Sequence, residues 1–284
     1  MDANVKDGKE EKTALIWAAE KGFVKVVSVL LANPGVDANV KDGKKERTAL
    51  IWAADKGFDK VVSVLQANSR VDVNAKEIFG QTALIRAAVT GKFKVIDALQ
   101  NHPQVDANIK DENYYTALIR GVHRGDQRVV SSLLNFSSID INAKDDTDKR
   151  TPLIWAVEKN KEKVIPLLLA NAGVDANMKD GKTENTPLIW ALEKGFDKIA
   201  TILLSSSKVN VNVKGRYGRT PLISAIIYSR FKSVEVLLKN QQVQENINIK
   251  DNYHYNALMR GVISGDEGVV RSLLNISSIG KAIF

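Results

Sequence analysis

Hydrophobic and polar positions alternate along this chain in a fixed cycle. A Thr opens an apolar run that closes in charge, as in "TALIWAAEKGF" from Thr13 and "TALIWAADKGF" from Thr48. The phrase T-[AP]-L-I returns at Thr82, Thr116, Thr151, Thr186 and Thr220, and as "NALMRGV" from Asn256. The spacings are 35, 34, 34, 35, 35, 34 and 36 residues, so eight repeats fill nearly all of residues 1–284 as one array. Self-similarity at such a period marks a stacked-repeat architecture.

Each repeat predicts two short helices and a polar connection. Thr, or Asn256, is a good N-cap. The next residue is Ala, or a Pro (Pro152, Pro187, Pro221) suited to the first helical position. Leu15, Ile16, Ala18 and Ala19 then line one helical face. A Gly follows (Gly22, Gly57, Gly91, Gly125, Gly195, Gly265), which supplies a left-handed helix end. A second apolar run such as "VVSVLL" from Val26 predicts the partner helix, and a segment like "VDANVKDG" closes the repeat. Helices this short are marginal alone in water. Each repeat must therefore bury its faces against the next, so that stability becomes a sum of repeat and interface contributions.

The repeat resembles the ankyrin repeat, whose signature is T-P-L-H-x-A at a period near 33. The resemblance spans about residues 2–279. It implies an all-α ankyrin-repeat solenoid of stacked antiparallel helix pairs with projecting hairpin fingers, and a concave face that grips partners. The chain departs from the pattern in places. The motif His is absent, and Ile16, Ile51, Ile85, Ile119, Ile154, Ile189, Ile223 and Met259 stand there, so apolar packing is expected in place of the hydrogen-bond network that braces the hairpin in the family. Asn160 and Ser229 replace the closing Gly in repeats five and seven, and Pro166 falls within the expected second helix of repeat five, where a kink is predicted.

The repeats are not interchangeable. From the D-x-N element to the capping residue the distances run 11, 11, 10, 10, 11, 11, 10, 10. The residue four after the cap reads Trp17, Trp52, Arg86, Arg120, then Trp155, Trp190, Ser224, Arg260. Repeats four and eight share "RGV", "GD" and "SLLNxSSI". These matches indicate a duplicated four-repeat block, residues 1–138 and 139–284, offset by 138 residues and by 140 after an insertion near Gln241–Asn246. No polar capping repeat precedes the first, and the apolar Ile279, Ile283 and Phe284 close the last. A covering partner or a longer array would both account for such ends.

Composition narrows the function classes. Cysteine is absent, so disulfide frameworks and thiolate chemistry are excluded. No signal-peptide pattern opens the chain and no apolar run is long enough to span a membrane. A cytoplasmic location is expected, and delivery into a host cell by a specialised export route would leave no mark here. The net charge of +8 is spread evenly, with 20 basic and 17 acidic residues in 1–138 and 21 and 16 in 139–284. Nucleic-acid binding needs clustering that this spread lacks.

Catalytic and cofactor patterns are not found. His102, His123 and His254 have no metal-ligand spacing. "DGKT" at Asp180–Thr183 matches the end of a phosphate-binding loop, but Ala176 stands where its first Gly is needed. No cofactor, metal site or enzyme activity is expected. The expected function is a non-catalytic protein–protein interaction scaffold; the alternatives are a targeting module of a larger enzyme or host-directed effector, or a weak binder of anionic surfaces.

The resemblance places partner contacts on the finger tips and on the first-helix positions four, seven and eight after the cap. Those are Trp17, Trp52, Arg86, Arg120, His123, Arg124, Trp155, Trp190, Tyr228 and Arg260. Trp and Arg are enriched in interface hot spots. The Trp rings equally fit a packing role between neighbouring first helices. Aromatic residues on the fingers add Phe79, Tyr114, Tyr115, Tyr217, Tyr253 and Tyr255, which suit recognition or cover the adjoining finger.

Overall fold

The computed structural model describes residues 2–276, and the chain divides into two compact units, residues 1–145 and 146–284. The expectations placed on Ile279, Ile283 and Phe284 lie outside the described residues.

In the first unit four helix pairs follow one another: α1 (Ala14–Lys21) with α2 (Val24–Ala32), α3 (Ala49–Lys56) with α4 (Asp59–Gln66), α5 (Ala83–Thr90) with α6 (Phe93–Gln100), and α7 (Ala117–Arg124) with α8 (Gln127–Leu134). The second unit has α9 (Pro152–Glu158) with α10 (Ile165–Ala170), α11 (Pro187–Lys194) with α12 (Asp197–Leu204), α13 (Pro221–Ile227) with α14 (Phe231–Leu238), a short α15 (Gln241–Glu245), and α16 (Ala257–Ser264) with α17 (Glu267–Leu274). Each unit is an all-helical stack of helix pairs, as the resemblance implies, with no strand among the described residues. First helices stack on first helices, as α1 on α3 and α11 on α13, and second helices likewise, as α4 on α6.

Local chemistry sets the helix boundaries. Each capping Thr accepts a hydrogen bond from the backbone N–H three residues on, at 3.3 Å for Thr13 and 3.4 Å for Thr48, and Asn256 does the same for Met259 at 2.9 Å. One of the free N–H groups of the first turn is thereby satisfied. The first helices end in the left-handed region, with φ 89° at Gly57. Asn160 and Ser229 adopt it too, at 52° and 56°. That conformation costs Ser more than Gly, because its Cβ crowds the backbone.

The core is a column of the residues two and three after each cap. Leu15, Leu50, Leu84, Leu118, Leu153, Leu188 and Leu222 are all buried, as is the Ile that follows each of them. Met259, in the last repeat, is exposed. The polar D-x-N elements form a second column. The Asn4 side chain donates to Gly35 O at 2.8 Å and accepts from Asp37 N at 2.8 Å. Asn39 repeats this with Arg70 O and Asp72 N, and Asn74 with Gln104 O and Asp106 N. Each Asn thus staples its own repeat to the next through backbone groups that would otherwise face water unpaired.

One expectation is corrected, and one insertion takes a form of its own. Pro166 does not kink a helix: α10 begins at Ile165 with Pro166 in its first turn, where the missing N–H is not needed. The helix is shortened to 6 residues instead. The insertion near Gln241–Asn246 forms α15, capped by the Asn240 side chain, rather than lengthening a loop.

Candidate functional site

In repeats one, two, four, six and eight the finger begins at an Asp that does two jobs. In the first repeat Asp7 Oδ1 accepts from the backbone N–H of Lys9 and Glu10, closing the finger turn, while Oδ2 accepts from the Trp17 indole at 2.6 Å. Asp42 does the same for Lys45, Arg47 and Trp52, the last at 2.8 Å. Asp180 receives Trp190 at 2.5 Å. In repeats four and eight the donor is Arg: Arg120 Nε reaches Asp111 at 2.7 Å and Arg260 Nε reaches Asp251 at 2.8 Å. The residue four after the cap is therefore a brace from first helix to finger. It supplies the hydrogen bonding that the sequence reading had assigned to apolar packing alone. In the braced repeats the donor matches the finger length, since Trp spans ten residues to its Asp and Arg spans nine.

Two of these carboxylates, Asp7 and Asp251, are shifted by the contacts they make. The backbone N–H of Glu10 and the Trp17 indole hold Asp7 down at about 2. Burial pushes Asp251 up, but the Arg260 hydrogen bond and the finger N–H groups outweigh it, leaving the carboxyl below its ordinary value.

A second pairing joins the residue before the cap to the residue four after it. Lys12 Nζ lies 4.4 Å from the Trp17 ring centroid and 4.3 Å from that of Trp52. Arg150 lies between Trp155 and Trp190 in the same way, at 5.0 and 5.2 Å. Carboxylates hold both cations: Glu20 and Glu10 for Lys12, Glu158 and Asp148 for Arg150. In repeats four and eight the roles are exchanged, with Tyr115 and Tyr255 before the cap and Arg120 and Arg260 stacked on them at 4.7 and 4.6 Å. Such contacts gain strength where water is excluded.

Repeats three and seven depart from both patterns, in different ways. In repeat three Arg86 bonds to Asp55 from the preceding first helix and to Gln81 before its own cap. Burial raises Asp55, but the bond and charge of Arg86, with the charge of Arg47, bring it below its ordinary value. In repeat seven the brace position holds Ser224, too short to span to the finger, and the finger position is Gly215, which carries no carboxylate.

The structure sorts the sequence-derived positions by exposure. Trp52, Trp155 and Trp190 are buried, with 8%, 6% and 7% of their surface exposed, whereas Trp17 keeps 36%. Arg86, Arg120, His123, Tyr115, Tyr228 and Arg260 are half-buried, and Arg124 is exposed. The Tyr115 and His123 rings meet edge to face at 4.9 Å. Phe79, Tyr114, Tyr217, Tyr253 and Tyr255 are exposed on the fingers. The fingers bring them together in pairs. Glu112 N–H donates to Phe79 O, and Asn252 N–H donates to Tyr217 O, so fingers three and four are joined, as are seven and eight. The Tyr217 and Tyr253 rings lie 6.1 Å apart. Sequence reasoning missed the finger carboxylates and the cations Lys12 and Arg150; the signal was the coupling of finger length to Trp or Arg. Among the described residues no group of three or more His, Asp or Glu is placed to hold a metal ion, and no helix is long and apolar enough to cross a membrane.

Comparison with known proteins gives two findings. The profile of a family described as ankyrin repeats (3 copies) matches residues 1–77, 65–145, 100–180, 125–214 and 153–251. Among solved structures the chain is similar to the ankyrin repeat domain of Bcl-3, described as a unique member of the IkappaB protein family. The TM-score is 0.69 at 25% identity, over 81% of this chain and 99% of that one. No curated protein matches.

Proposed function

The chain belongs to the ankyrin-repeat family, and from that membership we propose that it is a non-catalytic scaffold that binds protein partners through its finger tips and first-helix face. Repeats of this family are generally protein–protein interaction modules. The observation that carries the proposal is the pairing of exposed aromatics on adjacent fingers. Phe79 and Tyr114, with Ile78 exposed beside them, stand on fingers three and four, and Tyr217, Tyr253 and Tyr255 stand on fingers seven and eight. Large aromatics held out to solvent on hydrogen-bonded loops give contact area at low entropic cost. We assign one contact surface to each four-repeat block, residues 1–138 and 139–284.

On this reading Trp17, Arg124, His123, Tyr115 and the outer edges of Arg86, Arg120, Tyr228 and Arg260 extend the contact. Trp52, Trp155 and Trp190 serve it by fixing the fingers through their braces. The test is affinity capture with the full chain as bait, then measurement of Kd for the recovered partner. Phe79→Ala with Tyr114→Ala, or Tyr217→Ala with Tyr253→Ala, is expected to weaken binding by about tenfold or more with the melting temperature held within a few degrees. Unchanged affinity in both double variants would remove the fingers from the interface.

A further inference from the structure

Finger seven differs from every other finger in charge. Lys214, Arg216 and Arg219 lie on it with no acidic residue, whereas each of the other seven begins at an Asp or Glu: Asp7, Asp42, Glu77, Asp111, Asp145, Asp180 and Asp251. Gly215 stands in that place, and its missing side chain leaves donors without an acceptor. Ser224 Oγ and Asn185 Nδ2, on residues with none of their surface exposed, have no hydrogen-bond partner, and neither has the buried Arg219 Nε. Buried donors left in this state cost free energy, so an acceptor is favoured there.

The repeat frame shows that these groups converge. Asn185 and Arg219 are the residues before the caps of repeats six and seven, and Ser224 is the brace position of repeat seven. In repeats one and two, and in five and six, the residue before the first cap contacts both brace rings, as Lys12 and Arg150 do. In that frame Asn185 and Ser224 take the places of Arg47 and Arg86, and Gly215 lies directly against the Asn185 side chain. Asn185 Oδ1 is held by the Arg216 N–H at 3.1 Å, leaving its amide N–H groups for another partner. Outward of these, Arg216 and Arg219 both stack on the exposed Tyr217 ring, at 4.7 and 4.8 Å. Neither makes an ion pair among the described residues. Arg219 is half-buried, so it bridges the buried donors and the surface.

We propose that repeat seven takes a carboxylate from a partner polypeptide, an Asp or Glu side chain, on Arg216 and Arg219, at the outer side of the position where the other fingers carry their own and where the Asn185 side chain stands here. Building on the scaffold reading above, it names the partner's chemistry as an extended acidic segment. The guanidinium of Arg219, with Arg216 beside it, pairs with the carboxylate, a geometry that Arg matches with two parallel N–H donors. Tyr217 supplies an apolar face for the methylene carbons of the same side chain. One nearby carboxylate, Glu193, acts on the Tyr228 phenol, which burial and then Glu193 push above its ordinary value. That negative charge favours a singly charged carboxylate over a doubly charged phosphate.

The test uses the full chain and three probes: acetylated hexaglutamate amide, the same peptide in glutamine, and a six-nucleotide oligo-dT. Hexaglutamate is expected to bind at least about tenfold tighter than hexaglutamine. Arg216→Gln with Arg219→Gln should lower that affinity about tenfold or more, whereas Lys232→Gln with Lys239→Gln, exposed cations on and just after α14, should change it less than about twofold. Equal loss in the lysine control, equal binding of hexaglutamine, tighter binding of oligo-dT, or no hexaglutamate binding would each overturn the proposal. Phe79→Ala with Tyr114→Ala should leave hexaglutamate binding unchanged, so failure of the carboxylate seat and failure of the aromatic fingers are read separately.

Discussion

Repeats three and seven lie 138 residues apart and match position for position, yet one is saturated with ionic partners and the other is stripped of them. Arg86, Asp55, Gln81, Glu77 and Arg47 in the first correspond to Ser224, Glu193, Arg219, Gly215 and Asn185 in the second. The Arg and the carboxylate have gone together. Losing only Arg86 would leave Asp55 with Arg47 as its one close partner, and losing only Glu77 would leave Arg47 one acid short, since Arg47 pairs with Asp55 at 3.1 Å and with Glu77 at 4.0 Å. A polar network of this kind is stable when complete or when removed as a set, and unfavourable in between. The apolar column beneath is the same in both repeats, so the fold is indifferent to which version sits above it.

That contrast can be broken or sharpened by measurement. The shared column should respond most: Leu84→Ala and Leu222→Ala are each expected to cost about 2–5 kcal/mol in urea denaturation, by similar amounts. A large disparity would mean that the two repeats do not rest on equivalent cores. Next, Asp55→Ala should cost about 3 kcal/mol, because Arg86 and Arg47 lose their principal acceptor while remaining largely buried. Its counterpart Glu193→Ala, with no such cation pair, should cost under about 1 kcal/mol in the same assay.

The acid limb of stability gives a third comparison. Asp55 and Asp251 have folded-state pKa values below the ordinary 3.8. Their contribution is therefore complete above that value and is lost as pH falls through the lower, folded values. Asp251→Asn should flatten the decline in unfolding free energy between about pH 4 and pH 2 relative to the wild type. Repeat seven, with Gly215, adds nothing to that limb. The smallest effect is expected at Ser224→Ala: removing an unsatisfied buried hydroxyl should leave stability within about 1 kcal/mol of wild type or raise it. A clear loss would show that the hydroxyl is engaged after all.

Much of this molecule was legible in its sequence. The Thr caps, the Leu-Ile pairs and the closing Gly residues are short-range signals, and they located the repeats and all but one of the described helices. The exceptions have local causes. Pro166 was read against a regular repeat, but a helix can simply start at such a residue, and α15 grew from an insertion with its own Asn240 cap. The finger brace was harder to see, because it joins residues nine or ten apart and its donor changes from Trp to Arg. Its trace was present as the alternation of finger lengths. The cations stacked on Trp52 and Trp190 come from the repeat before, a pairing across repeats that no single window contains. The seat in repeat seven was invisible because its mark is two small residues, Gly215 and Ser224, which signify only beside their counterparts.

The brace also carries a lesson for altering such arrays. A long, flat donor spans the longer finger and a forked one spans the shorter, so adding or deleting one residue near a finger tip is compatible with the stack only when the helix residue facing it is exchanged in the same step. Insertions made without that exchange should leave the loop untethered, and insertions made with it offer a way to advance or retract a single contact point while the rest of the surface keeps its spacing.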